Sequence, residues 1–155
     1  MISAMRVFFV LFALVISTSA LAAPPKPVLD AAAAIDGAVR SFDKKECSFA
    51  VAQPDCALAI RVTCAAPLFK YAYVMTIPLG KVDVKKSLLQ ENAGGFQGSH
   101  GVEITTVGDL IETVTDDKQK TTGSTAVLAF GASDDDAKRA KKLLAALALA
   151  KKSCK

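Results

Sequence analysis

Four cysteines, at positions 47, 56, 64 and 154, constrain this chain more than any other feature. An even count in an exported chain reads as two disulfides. Zinc is the competing use, but structural zinc ligands pair as C-x2-4-C. Here eight, seven and 89 residues separate successive cysteines. A redox-type C-x-x-C pair is also absent, so the sequence predicts no metal and no cofactor.

Strand geometry narrows the pairing. Cys56, Leu58, Ile60, Val62 and Cys64 alternate with Ala57, Ala59, Arg61 and Thr63. This period of two predicts a strand with both cysteines on its apolar face. Eight extended residues hold them about 26 Å apart, beyond disulfide reach. Two connectivities remain: Cys47–Cys56 with Cys64–Cys154, or Cys47–Cys64 with Cys56–Cys154. Gln53-Pro54-Asp55 can turn the chain back between Cys47 and Cys56, which favours the first. Either way Cys154 ties the last helix to the first strand. Closing a loop of about 90 residues is worth roughly 4–5 kcal/mol in the chain-entropy model.

The oxidising compartment is predicted from the other end of the chain. Residues 1–22 carry one basic residue (Arg6), a ten-residue apolar run (VFFVLFALVI, 7–16), then small residues ending Ala20-Leu21-Ala22. This is the layout of a secretory signal peptide, with cleavage expected after Ala22. As a helix the run spans about 15 Å, against roughly 30 Å of hydrocarbon, too short for an anchor. Residues 23–27 read as a proline-rich spacer and 28–155 as a single domain. Without Arg6 the charge balance is 18 basic against 15 acidic residues. This mild excess, mostly lysine and not interleaved with aromatics, gives no support to nucleic-acid binding. The only asparagine, Asn92, is followed by Ala and Gly, so there is no glycosylation sequon. With the alanine-rich composition, this favours a bacterial protein of the periplasm or the extracellular space. No other segment predicts a membrane span.

The periodicities predict an α+β fold. Val28, Ala32, Ile35, Val39 and Phe42 form one helical stripe, so a helix is expected over 28–42. About five to seven antiparallel strands follow, as a sheet or partial barrel. Beyond the 56–64 strand, Phe69, Tyr71, Tyr73, Met75 and Ile77 share a face. Residues 81–85 alternate, 92–101 form a mobile glycine-rich loop, and 102–107 and 110–115 make two strands joined around Gly108-Asp109. Residues 116–123 read as a polar connection, and 125–130 as a central strand, apolar on both faces. Ser133, with Asp134, Asp135 and Asp136 behind it, caps a C-terminal helix. Its core stripe is Ala140, Leu143, Leu144, Leu147, Ala150 and Cys154. A last apolar strand running into a capped Ala/Leu-rich helix resembles the end of pleckstrin-homology-like barrels. The resemblance implies only an architecture for the last third of the chain.

Chemistry is sparse. His100, the only histidine, follows Ser99, and neighbours in sequence form a nucleophile–base pair poorly. Gln97 stands where a nucleophile elbow needs glycine. The loop glycines precede a strand, which fits neither a Walker loop nor a dinucleotide turn. The tyrosine stripe is either core or the wall of an apolar pocket, with Tyr71 and Tyr73 hydroxyls orienting a ligand. Phe96, Ser99 and His100 on the glycine-rich loop, with Tyr71 and Tyr73, are the candidate contacts. The expected function is a non-catalytic binding or interaction module for a protein or a small apolar ligand. The alternatives are a secreted enzyme using Ser99 and His100, or an envelope component dimerising through its C-terminal helix.

Overall fold

The computed structural model describes residues 23–42, 45–52 and 54–155, so the segment read as a signal peptide lies outside the described residues. Helix α1 (Lys26–Ile35) begins inside the segment expected to be a spacer. Pro27 sits in its first turn, where a missing N–H costs nothing. The helix then stops seven residues before the expected Phe42. Asp36 is extended at its C-cap and Gly37 turns left-handed, with φ of +68°. Asp36 also accepts a hydrogen bond from the Val51 N–H at 2.9 Å, which fixes the exit direction. Val39 and Phe42, which fitted the helical stripe, instead belong to strand β1 (Val39–Phe42).

Two antiparallel sheets follow. Strands β2 (Lys45–Ala52), β3 (Ala57–Ala66) and β4 (Phe69–Pro78) form a meander, with β1 on the outer side of β2. Strand β7 (Ile111–Thr115) pairs with β4, and β8 (Lys120–Gly123) closes the far edge, giving the order β1-β2-β3-β4-β7-β8. The second sheet has the order β5-β6-β9, from β5 (Leu88–Glu91), β6 (His100–Thr105) and β9 (Thr125–Ala129).

Several expectations therefore change. Around Gly108-Asp109 the chain passes from β6 in the small sheet to β7 in the large one. The polar stretch 116–123 contains β8, polar because it is an edge. Among the described residues strand β9 pairs only with β6, so it is an edge by hydrogen bonding there, although Leu128 and Ala129 are buried. Residues 81–85 form no strand: a short 3-10 turn (Leu79–Lys81) leads to one bridge, Val82 to Thr106.

Helix α2 (Asp134–Ser153) starts with the expected capping box. Ser133 Oγ accepts from the Asp136 N–H at 3.2 Å, and Asp136 accepts from the Ser133 N–H at 3.1 Å. Leu143 and Leu147 are buried, each worth about 1.5–3 kcal/mol. Helix α1 packs along α2, and Arg139 of α2 donates to the Ala34 and Asp36 carbonyls at 3.0 and 3.3 Å. That guanidinium satisfies orphan carbonyls at the negative end of α1. One core cluster joins both helices and both sheets, with Phe49 of β2 edge-on to Phe130 at 6.0 Å.

The disulfides are Cys47–Cys64 and Cys56–Cys154, not the pairing favoured by the sequence. The reversal at Pro54 does fold the chain back, but it lays Ala52 opposite Ala59 and hence Cys47 opposite Cys64. Cys56 falls in the turn itself, outside the ladder, and is left for Cys154. The Cα atoms of Cys47 and Cys64 are 4.0 Å apart, the close spacing of a non-hydrogen-bonded antiparallel pair.

Candidate functional site

The register of the large sheet assembles the site. Arg40 lies opposite Cys47, Cys47 opposite Cys64, and Cys64 opposite Tyr71. Directly opposed residues share a face, so an arginine, a disulfide and a tyrosine form one row across four strands. On the inner side of this row the face is core: Phe49, Val62 and the half-buried Tyr73. On the outer side it is rim. Phe69 and Tyr71 are 51% and 44% exposed. Their rings stack, centroids 6.0 Å apart and planes 22° apart. Lys45 Nζ stands 5.5 Å from the Phe69 centroid.

The glycine-rich loop closes the opposite side of Arg40. The guanidinium carbon lies 4.3 Å from the Phe96 ring centroid, within cation–π range, and Nη2 donates to Cys47 Sγ at 3.2 Å. The loop is fastened by its own hydrogen bonds. Asn92, itself left-handed, accepts the Gly98 N–H on Oδ1 at 2.6 Å. The buried Ser99 hydroxyl lies 2.7 Å from the Phe96 carbonyl and 3.0 Å from that of Ala93. Its single proton is engaged with loop carbonyls, so Ser99 fastens the loop that presents Phe96.

Electrostatics single out Arg40. Among the described residues no carboxylate lies within ion-pair distance of it. Burial lowers its pKa from the ordinary arginine value, while Tyr73 and Tyr71 oppose the change. Burial raises the Tyr73 phenol above its ordinary value, the Arg40 charge pulls it back, and Tyr71 adds a further push upward. A half-buried cation thus sits beside two phenols and a phenyl ring, with its charge balanced by no protein carboxylate among the described residues. A charge taken out of water in this way has a free-energy incentive to meet an anion.

No protein-family model, curated protein or solved structure matches this chain.

Three of the five candidate contacts thus lie on the Arg40 side: Phe96 stacks on its guanidinium, and Tyr71 and Tyr73 on β4 are within its electrostatic reach. His100 lies elsewhere. It opens β6 opposite Glu91 and lines a separate cavity of 140 Å³ with Gln90 and Lys141. No hydrogen bond joins the Ser99 and His100 side chains among the described residues. Leu147 faces the core, and Leu149 is the leucine that α2 leaves half in water. Arg40 itself was missed. Its sequence signal, a cation in a short run ending at Phe42, gains meaning only from the cross-strand register. The two disulfides indicate an oxidising environment. Among the described residues no helix is long and apolar enough to cross a membrane.

Proposed function

We propose that this protein is an exported binding module that holds its partner at the rim formed by Arg40, Tyr71, Phe69 and Phe96. One observation carries the reading: Arg40 is half-buried and lacks a carboxylate partner among the described residues, on the sheet face that also carries the two stacked, solvent-facing rings of Phe69 and Tyr71. Rigid aromatics flanking a desolvated arginine are the composition of interface hot spots. The partner surface that fits is an acidic group set beside an apolar one. The Cys47–Cys64 bond underlies the row and holds it rigid, which lowers the ordering cost of binding.

The leader-like residues 1–22 support export, and the absence of a sequon supports a bacterial periplasmic or extracellular location. The test is in-cell photocrosslinking from position 69, in the exporting host, with Arg40→Ala and Tyr71→Ala alongside. A discrete crosslinked species that disappears in both variants, at unchanged melting temperature, is expected. Crosslinks that survive both substitutions would overturn the assignment of the rim.

A further inference from the structure

A second surface lies away from the rim, at the C-terminal end of α2. There an open groove of 830 Å³ runs between that helix, the Gly80–Lys85 segment and Val107. Its apolar lining is Val84, Ala148 and Val107, and Val107 is 64% exposed. Four lysines surround it: Lys85, Lys151, Lys152 and Lys155. None of the four is in an ion pair among the described residues. The only acidic side chain in the lining, Asp83, lies 3.9 Å from a fifth lysine, Lys86, just outside. The helix dipole accounts for Lys151 and Lys152. It does not account for Lys85, which another segment brings to the same opening, nor for the exposed Val107 between them.

From this juxtaposition we infer that the groove docks the protein on an anionic lipid bilayer, with the lysines on the headgroups and Val107 at the acyl boundary. Charge complementarity selects an anionic occupant. The openness of the groove selects a bilayer over a free ligand. A small molecule would leave much of its surface in water, whereas a lipid is already sheltered by its neighbours. The Cys56–Cys154 bond fixes the helix end against the Gly80 turn and so keeps the lysines from the two segments together.

Each lysine at an anionic surface contributes about 1 kcal/mol, a factor of roughly five. The test uses the disulfide-bonded protein and vesicles of phosphatidylcholine with or without one-third phosphatidylglycerol, at low and high salt. Binding only to the anionic vesicles, weakened by salt, is expected. Replacing Lys151, Lys152 and Lys155 by Gln should lower it roughly a hundredfold. Replacing Lys138, Lys141 and Lys142 by Gln removes the same charge from the other half of α2 and should change it far less. Equal losses from the two triple variants would reduce the effect to net charge and overturn the groove. Failure to bind anionic vesicles at low salt would overturn it too. Binding of short-chain phosphatidylglycerol monomers or of polyglutamate without vesicle binding would replace the bilayer by a free anion or an acidic protein.

Discussion

Replacing Cys56 and Cys154 together by serine removes the bond that ties α2 to the start of β3. The two cysteines are 98 residues apart in sequence, and releasing a loop of that length restores about 4.7 kcal/mol of denatured-state entropy in the chain-entropy model. The Cys47–Cys64 bond spans 17 residues and by the same relation is worth about 3 kcal/mol. Domains of this kind are stable by about 5–15 kcal/mol, so the first loss is a large fraction of the total. Urea unfolding of the oxidised protein and of the two double-serine variants measures both terms. The Cys56/Cys154 variant should lose more, by roughly 1.5 kcal/mol. Hydrogen exchange should accelerate in the last turn of α2, where Cys154 packs at the Gly80 turn. A Cys56/Cys154 variant at least as stable as the Cys47/Cys64 one, with the helix end still protected, would refute the reasoning.

Further outcomes follow from the same packing. Gly80→Ala should destabilise by about 1–3 kcal/mol in thermal melts, because an added Cβ overlaps the Cys154 carbonyl. Ser133→Ala should cost about 1 kcal/mol through loss of the α2 cap. Leu147→Asp should unfold the domain, since that side chain is buried, whereas the half-exposed Leu149→Asp should leave the melting temperature nearly unchanged. Tyr73 has a folded-state pKa above its unfolded one. Its stabilising contribution is therefore complete below about pH 10 and is lost as pH rises through the folded value. The chain has two tyrosines and no tryptophan, so ultraviolet titration of a Tyr71→Phe variant reads Tyr73 alone. Adding Arg40→Gln should move that titration to higher pH, and no change would contradict the proximity of the two groups.

Much of the fold was legible because its signals are local. The Ser133–Asp136 box and the Leu143/Leu147 stripe give α2 without any tertiary knowledge. The alternations from Cys56 and from Phe69 give β3 and β4. The failures lie where a non-local choice decides. Val39 and Phe42 satisfy a helical stripe, but Gly37 and the Asp36–Val51 bond send them into a strand. Strand β8 (Lys120–Gly123) carries no apolar alternation because an edge strand buries little. The disulfide pairing depends on which residue of β3 faces Cys47, a register that no spacing within either strand encodes. The same register creates the site. Tyr71 and Tyr73 were visible as a stripe and Phe96 as a loop aromatic, but only the four-strand row brings Arg40 to them.

That row stands on the Cys47–Cys64 bond, and a non-reducing tryptic map of protein recovered from an oxidising compartment tests it most directly. Cys47 and Cys56 share one tryptic peptide, residues 46–61, while Cys64 lies in 62–70 and Cys154 in 153–155. The structure predicts all three peptides in a single linked species. A further cleavage before Asp55 should split it into one pair joining Cys47 to Cys64 and another joining Cys56 to Cys154. A species joining only 62–70 to 153–155, with 46–61 closed on itself, would contradict the register and with it the site.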